Sequence, residues 1–492
     1  MFVIIFLALV LFLIYKCITK NFDYWKKRGI PYLEPSFPFG NVFPCVIFKK
    51  SYSHLLAQFY NSSKESLVGY WIFNIPFLMI RSPELIKNIM VKDFDHFNER
   101  ASSNNKVKTF FSDTLFSLDY HDWKLLRTKL SPSFTTSKMK NVMHIFNKSS
   151  KEMIEYLDEV SGDAVDCKQI SSLLTANVFA ASTFGYKINC FKDVDNEFFV
   201  YSKKIMVPTV ANLVRFIAFF VVPEMADFFR IKLFKQSVLD FFRHHFRNVL
   251  RVREESGEKC NDFIDGYVQL KKEGNLGDGF IFDEDRLAAQ AIQFFLAGFE
   301  TTSSLISFTL YELAMNEDIQ SKLRNEITDA LALEDDGDFS YENIMDLSYF
   351  NKVMSESLRK YPTLPLIDRK CVKDYRIPGT DIIIEKETRC QIGILGLHND
   401  PEFYPNPETF DPERFSPENV KTRPSHVYIP FGHGPHNCIG KRFGLLTAKT
   451  CIAQTLTKFR ILPTESTPKR IEIDSKEFLI KPKDVFLKFE KL

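Results

Sequence analysis

From Asp283 to about Met315 the chain stays predominantly apolar for some 33 positions with no proline in the run. That is about 50 Å of α-helix, enough to cross an entire domain, so the fold must be built around it. Asp283 is the expected N-cap, and Glu284 and Asp285 place negative charge in the first turn, where the helix dipole favours it. The middle is unusual. Gly298 weakens a helix, and the hydroxyls of Thr301-Thr302-Ser303-Ser304 bend one by bonding back to its carbonyls. On these residues alone the stretch reads as a packing notch with satisfied hydroxyls.

With 492 residues, 45% of them hydrophobic, the chain buries a large core as one big domain or two. A net charge of +2 implies no basic face for nucleic acid. Nine cysteines without paired or Cys-x-x-Cys spacing suit a reducing compartment and no disulfide framework. The fifty phenylalanines make an aromatic core, with a minority left to line an apolar pocket.

Met1 to Tyr15 carries no charged side chain, and with Cys17 and Ile18 it approaches the roughly 17-residue minimum for a membrane span. A cleaved signal peptide would need a basic start and a small-residue cleavage site, and neither is present. Residues 1–20 are therefore expected to be an N-terminal anchor. Lys16, Lys20, Lys26, Lys27 and Arg28 follow it, which places the rest of the chain in the cytosol. Residues 21–40, basic and holding Pro31, Pro35 and Pro38, read as a stiff linker before residues 41–492. Ile205 to Val222, interrupted by Pro208, reads as an amphipathic surface segment that dips into a bilayer. Arg251 to Asp285, charged and holding Gly257, Gly266, Gly274, Gly277 and Gly279, reads as an exposed connection.

Phe431-Gly432-His433-Gly434-Pro435-His436-Asn437-Cys438-Ile439-Gly440 sets one cysteine in a glycine-cornered loop opening a helix from Lys441 to Leu456. The following amides are expected to point at its sulfur and stabilise a thiolate able to bind a metal. A buried structural cysteine is the competing reading. Glu356 and Arg359 lie three apart on a helix that must stop near Tyr361, because Pro362 follows, and spacing alone does not tell a buried pair from a surface one. Trp123 and Arg127 share a helix face and by themselves suggest a cation–π contact.

The cysteine loop resembles the haem-binding loop of the cytochrome P450 family, Phe-x-x-Gly-x-Arg-x-Cys-x-Gly, at every fixed position but one: His436 stands where the family has arginine. Ala297-Gly298-Phe299-Glu300-Thr301-Thr302, Glu356-Ser357-Leu358-Arg359 and Pro412-Glu413-Arg414-Phe415 match further family segments in order, so that the likeness runs from about Pro31 onward. The entry Tyr24-Trp25-Lys26-Lys27-Arg28-Gly29 is similar to microsomal insect detoxification enzymes. The resemblance implies a mainly α fold, a large helical domain with a smaller β-sheet-rich part, behind an N-terminal transmembrane helix in the endoplasmic reticulum. It implies haem b with Cys438 as axial thiolate, Trp123, Arg127, Arg369 and His436 against the propionates, and Glu300 and Thr301 as the acid and alcohol that relay protons for O–O cleavage. The Gly298 notch becomes a dioxygen pocket, and Arg414 joins Glu356 and Arg359 in a buried haem-supporting network.

The activity so implied is oxygen insertion into apolar small molecules, xenobiotics or endogenous lipids and hormones. No Gly-x-Gly-x-x-Gly fingerprint opens a βαβ unit, so electrons must come from a separate NADPH-cytochrome P450 reductase, with cytochrome b5 as a further donor and Lys441 and Arg442 on the docking face. Phe110 to Phe116, Phe295 to Phe299, Thr363 to Leu366 and Glu477 to Leu479 are the expected pocket segments. Histidine is shorter than arginine and only partly charged near neutrality, so haem retention is expected to weaken as pH rises through its pKa. Two rivals are a haem-thiolate isomerase or dehydratase working without a reductase, which an intact Glu300-Thr301 pair disfavours, and a non-catalytic haem or hydrophobic-ligand protein.

Overall fold

The computed structural model describes residues 1–100, 110–205, 207, 209–274, 281–334 and 337–492. Pro208, Gly277 and Gly279 lie outside the described residues. Helices dominate, and the longest spans Glu284–Met315 with Asp283 as its cap, whose side chain accepts from the Arg286 amide. Most of this helix is buried, so it forms the spine of the molecule. It packs against the Cys167–Phe184, Gln236–Ser256 and Lys441–Lys458 helices.

Gly298 has a packing purpose. A Cβ there would lie 1.9 Å from the Phe179 ring, so the absent side chain lets the Cys167–Phe184 helix press an aromatic ring into the spine. Phe179 thus occupies the Cβ side of the glycine, while Ala297 and Thr301 beside it remain accessible. Phe295 and Phe299 are likewise core, stacked on each other 5.5 Å apart and almost fully buried. Within that stretch only Ala297 is exposed.

The smaller part holds a four-stranded sheet in the order Leu67–Ile72, Ile75–Ile80, Arg389–Gly393 and Leu366–Lys370. Its outer pairs are antiparallel and the central pair parallel. A three-stranded sheet joins Ala164–Asp166, Phe486–Lys491 and Phe459–Pro463. The architecture is thus mainly α with a lesser β part.

Phe2–Thr19 is one continuous helix, the only one among the described residues long and apolar enough to cross a membrane. Residues 21–40 do not stand off as a bare linker. Trp25 is buried against Gly69, where a Cβ would lie 2.4 Å from the indole, and its Nε1 donates to the Tyr70 carbonyl.

Two further expectations change. Arg251 to Asp285 is not one exposed connection: the Gln236–Ser256 helix runs into it and Phe263–Glu273 forms another helix, burying Phe263, Ile264, Tyr267 and Leu270. Its charges occupy the solvent face and concealed this apolar stripe. Ile205 to Val222 is two elements, the end of the Glu197–Ile205 helix and a separate Val210–Phe220 helix. The latter turns Leu213, Ala218 and Phe219 inward and leaves Val210 and Val214 exposed.

Candidate active site

The cysteine loop is set by its glycines. Gly432 and Gly434 take φ of +70° and +69°, which side chains rarely adopt, and a Cβ on Gly434 would lie 2.0 Å from the Met90 carbonyl oxygen. The turn closes where the Cys438 amide donates to the Phe431 carbonyl at 2.8 Å. Gly440 then caps the Lys441–Lys458 helix. Burial pushes the Cys438 thiol up, but the Gly440 and Lys441 amides and the Arg127 and Lys441 cations all favour the thiolate. The residue itself is exposed, as a thiol on the floor of a cleft would be. Near it the spine crosses the same helix closely: a Cβ on Gly444 would lie 3.4 Å from the Thr302 hydroxyl.

Around this loop the fold gathers cations with few anions. Arg127, on the Tyr120–Leu130 helix, donates to Asn437 Oδ1 at 2.8 Å. Arg369, on the sheet, donates to the Asp368 carbonyl at 2.6 Å, while its Nε has no hydrogen-bond partner among the described residues. Arg100 donates to the Phe116 carbonyl at 3.1 Å. Burial, with Arg369 beside it, depresses Arg100 to about 9, and burial depresses Arg369 to about 10. Three guanidiniums so placed call for negative charge between them.

His436 sits among them as a neutral ring. It packs on Trp123, with centroids 3.9 Å apart, and its Nε2 donates to the Asn98 carbonyl at 2.8 Å. Burial, then Arg100 and Arg369, push its pKa far below the ordinary value. Nδ1 has no hydrogen-bond partner among the described residues. The ring ties the cysteine loop to Asn98, and the arginines around it supply positive charge.

An independent comparison settles the family, since the model for cytochrome P450 matches residues 34–489. The chain is a cytochrome P450. It is 37% identical to cytochrome P450 6k1 of Blattella germanica over 97% of this chain and 94% of that one. Identity to cytochrome P450 6a2 of Drosophila melanogaster is 36%, over 95% of each chain. With cytochrome P450 6B7 of Helicoverpa armigera it is 32%, over 97% of this chain and 95% of that one. The protein is thus a P450 monooxygenase of insect type, and the family implies haem with a cysteine thiolate ligand. The residues present fit such a group: an amide-supported sulfur, an indole and three guanidiniums, one with an unpartnered Nε, match an iron ligand and two carboxylates.

The remaining residues of the P450 divide. Glu356 and Arg359 are fully buried and paired through two contacts, at 2.7 and 2.8 Å, with Arg414 Nε 3.4 Å from Glu356. The Thr301 hydroxyl donates to the Ala297 carbonyl at 2.6 Å, and both residues belong to the partly exposed band of the spine. Glu300 turns elsewhere, with Lys168 at 2.9 Å and Lys481 at 3.6 Å. Burial raises its pKa, but the two lysines outweigh that and hold it below the ordinary carboxylate value. Lys441 and Arg442 are exposed. Sequence reasoning missed Arg100, which belongs to no motif, and the two lysines. Lys168, a lone charge opening an otherwise polar-neutral and apolar helix, was the one available signal.

Proposed function

We propose that this P450 is a microsomal monooxygenase, anchored in the endoplasmic reticulum by its first helix with the body in the cytosol, that oxidises apolar small molecules, xenobiotics among them, with electrons from NADPH-cytochrome P450 reductase and cytochrome b5. The observation that carries the reading is the cysteine loop, whose sulfur is supported by two helix-opening amides inside a ring of arginines. Cys438 would ligate the haem iron, and Arg100, Arg127, Arg369 and Trp123 would hold its two carboxylates, with His436 packed on Trp123. Once bound, haem supplies dioxygen activation for insertion of one oxygen atom into a substrate C–H bond.

The chain's own residues do the rest. Thr301, with its hydroxyl already oriented by the Ala297 carbonyl, holds the proton to be delivered, and Glu300 one residue earlier, once turned from its two lysines, takes a proton from water and passes it on. Phe216, Phe220 and Phe478, with ring centroids 5.7 to 5.9 Å apart, give an apolar ligand a dry wall. Lys441 and Arg442 offer positive charge to an acidic reductase face.

The test is Cys438→Ser. An alcohol is a poor anionic donor at neutral pH, so the variant should lose the thiolate-type band of the reduced carbon-monoxide spectrum and all NADPH-driven oxidation of an apolar aryl ether. Retention of that band would sink the assignment.

A further inference from the structure

The four side chains of the Glu300 cluster come from three separated parts of the chain. Lys168 opens the Cys167–Phe184 helix, Glu300 lies mid-spine, and Glu477 and Lys481 belong to the irregular segment before the Phe486–Lys491 strand. Lys481 lies 2.6 Å from Glu477 and 3.6 Å from Glu300, and therefore bridges the two carboxylates. All four are largely buried, the most exposed being Lys168 with 18% of its side chain accessible.

The two lysines are held differently. Lys168 is pinned to the helical scaffold, donating to Ser303 Oγ at 2.5 Å and Ser172 Oγ at 3.3 Å. Lys481 rides on a segment outside any helix or strand, tied to the sheet side where the Ile480 amide donates to the Thr363 carbonyl at 3.0 Å. That segment also carries Phe478, whose ring stacks between Tyr52 at 6.1 Å and Phe216 at 5.9 Å. Glu300, Glu477, Lys481, Phe478, Leu213 and Asn212 line one cavity of about 20 Å³, room for a water beside the bridge, with Phe478 at its edge.

We propose that Lys481 is a positioning residue for Glu300: it sets the direction and charge of that carboxylate from the segment that also forms the ligand wall at Phe478. The inference rests on the reading of Glu300 as the proton source for Thr301. A carboxylate between two ammonium groups is held ionised and turned towards them. One ammonium is fixed to the scaffold and the other belongs to a segment that a ligand touches. Contact at Phe478 therefore changes the restraint on Glu300 without contact between ligand and acid. The charges facing Glu300 are Lys168 from its helix and Lys481 from the C-terminal segment, with Glu477 and Lys476 at the cavity edge.

The test uses the full holoenzyme with reductase and NADPH, read as peroxide released per NADPH with dioxygen as the only acceptor, across pH 6 to 8.5. Lys481→Met should raise that ratio at least threefold at every pH, since Glu300 then swings onto Lys168 alone and out of register with Thr301, and should move the midpoint of the profile towards higher pH, since the acid loses a cation that keeps it ionised. Lys481→Arg should restore both. In a Glu300→Gln background Lys481→Met should change neither. A second reading without turnover is the thermal unfolding midpoint: Lys481→Met should lower it more at pH 8 than at pH 5, and Glu300→Gln should shrink that difference.

If Glu300→Gln alone leaves the peroxide ratio unchanged, the proton-source reading itself fails. If Glu300→Gln raises it while Lys481→Met does not, only the positioning role is overturned. Additive effects in the double variant would also overturn it, because Lys481 would then act apart from Glu300. Should Lys481→Met fail to give the reduced carbon-monoxide band, Lys481→Gln, which removes the same charge with a polar side chain, takes its place with the same expected directions and the same refuting outcomes.

Discussion

Two buried charge clusters of this P450 are built on different plans. Glu356 and Arg359 meet fork to fork within one helix, and Arg359 spends its remaining donors on the His398 and Pro407 carbonyls and Asn399 Oδ1. Every partner is fixed and both side chains are wholly out of contact with water. The Glu300 cluster is assembled from distant segments by lysines, compact point charges on flexible stems, and it borders a cavity. A planar guanidinium with several acceptors makes a rigid joint, whereas two ammonium groups around a carboxylate make an adjustable one.

That contrast breaks most sharply at Arg359. Arg359→Met strands a buried carboxylate and should cost about 3–5 kcal/mol, with loss of the reduced carbon-monoxide band. Denaturant unfolding checks it, and a cost under about 1 kcal/mol would show that the joint is not rigid.

The response to acid distinguishes the clusters next. Burial, with Arg359 beside it, depresses His398 from 6.5 to about 3. Unfolding releases a base that protonates below 6.5, so in that window the unfolded state binds more protons and stability falls as pH is lowered. The slope reaches about 1.4 kcal/mol per pH unit at most. Thermal unfolding from pH 7 to pH 4 should show it, and His398→Gln should flatten the profile. Glu477 acts in the opposite direction and over a narrower window. Burial raises it from 4.5 to about 7, so the folded state binds the extra proton and its contribution is lost as pH rises through that range. Glu477→Gln should therefore make stability between pH 5 and 7.5 rise more steeply with pH, and an unchanged slope would remove Glu477 from the cluster.

What could be read from the sequence follows the same division. The Asp283 cap, the helix ending before Pro362 and the glycine-cornered cysteine turn are local, and neighbouring residues determine them. The network around Glu356 is half local, since two of its members are three residues apart. The Glu300 cluster joins residues more than 130 positions apart, and no periodicity registers that. The surroundings of His436 were hidden too, because only the fold brings its ring onto Trp123 and among the arginines. Likewise the Phe263–Glu273 helix was obscured by its own solvent-facing charges and by Gly266.

One feature of the N-terminal approach bears on how the molecule is mounted. Trp25 lies in the trough that Gly69 leaves open, the Trp71 indole donates to the Asn21 carbonyl at 2.8 Å, and Arg28 meets Glu385 at 2.7 Å. The first helix thus leads into a splint glued along the sheet, not into a swivel. A chain trimmed after Lys20 keeps the splint and its orientation, whereas one trimmed after Ile30 uncovers a greasy furrow above Gly69 and invites self-association.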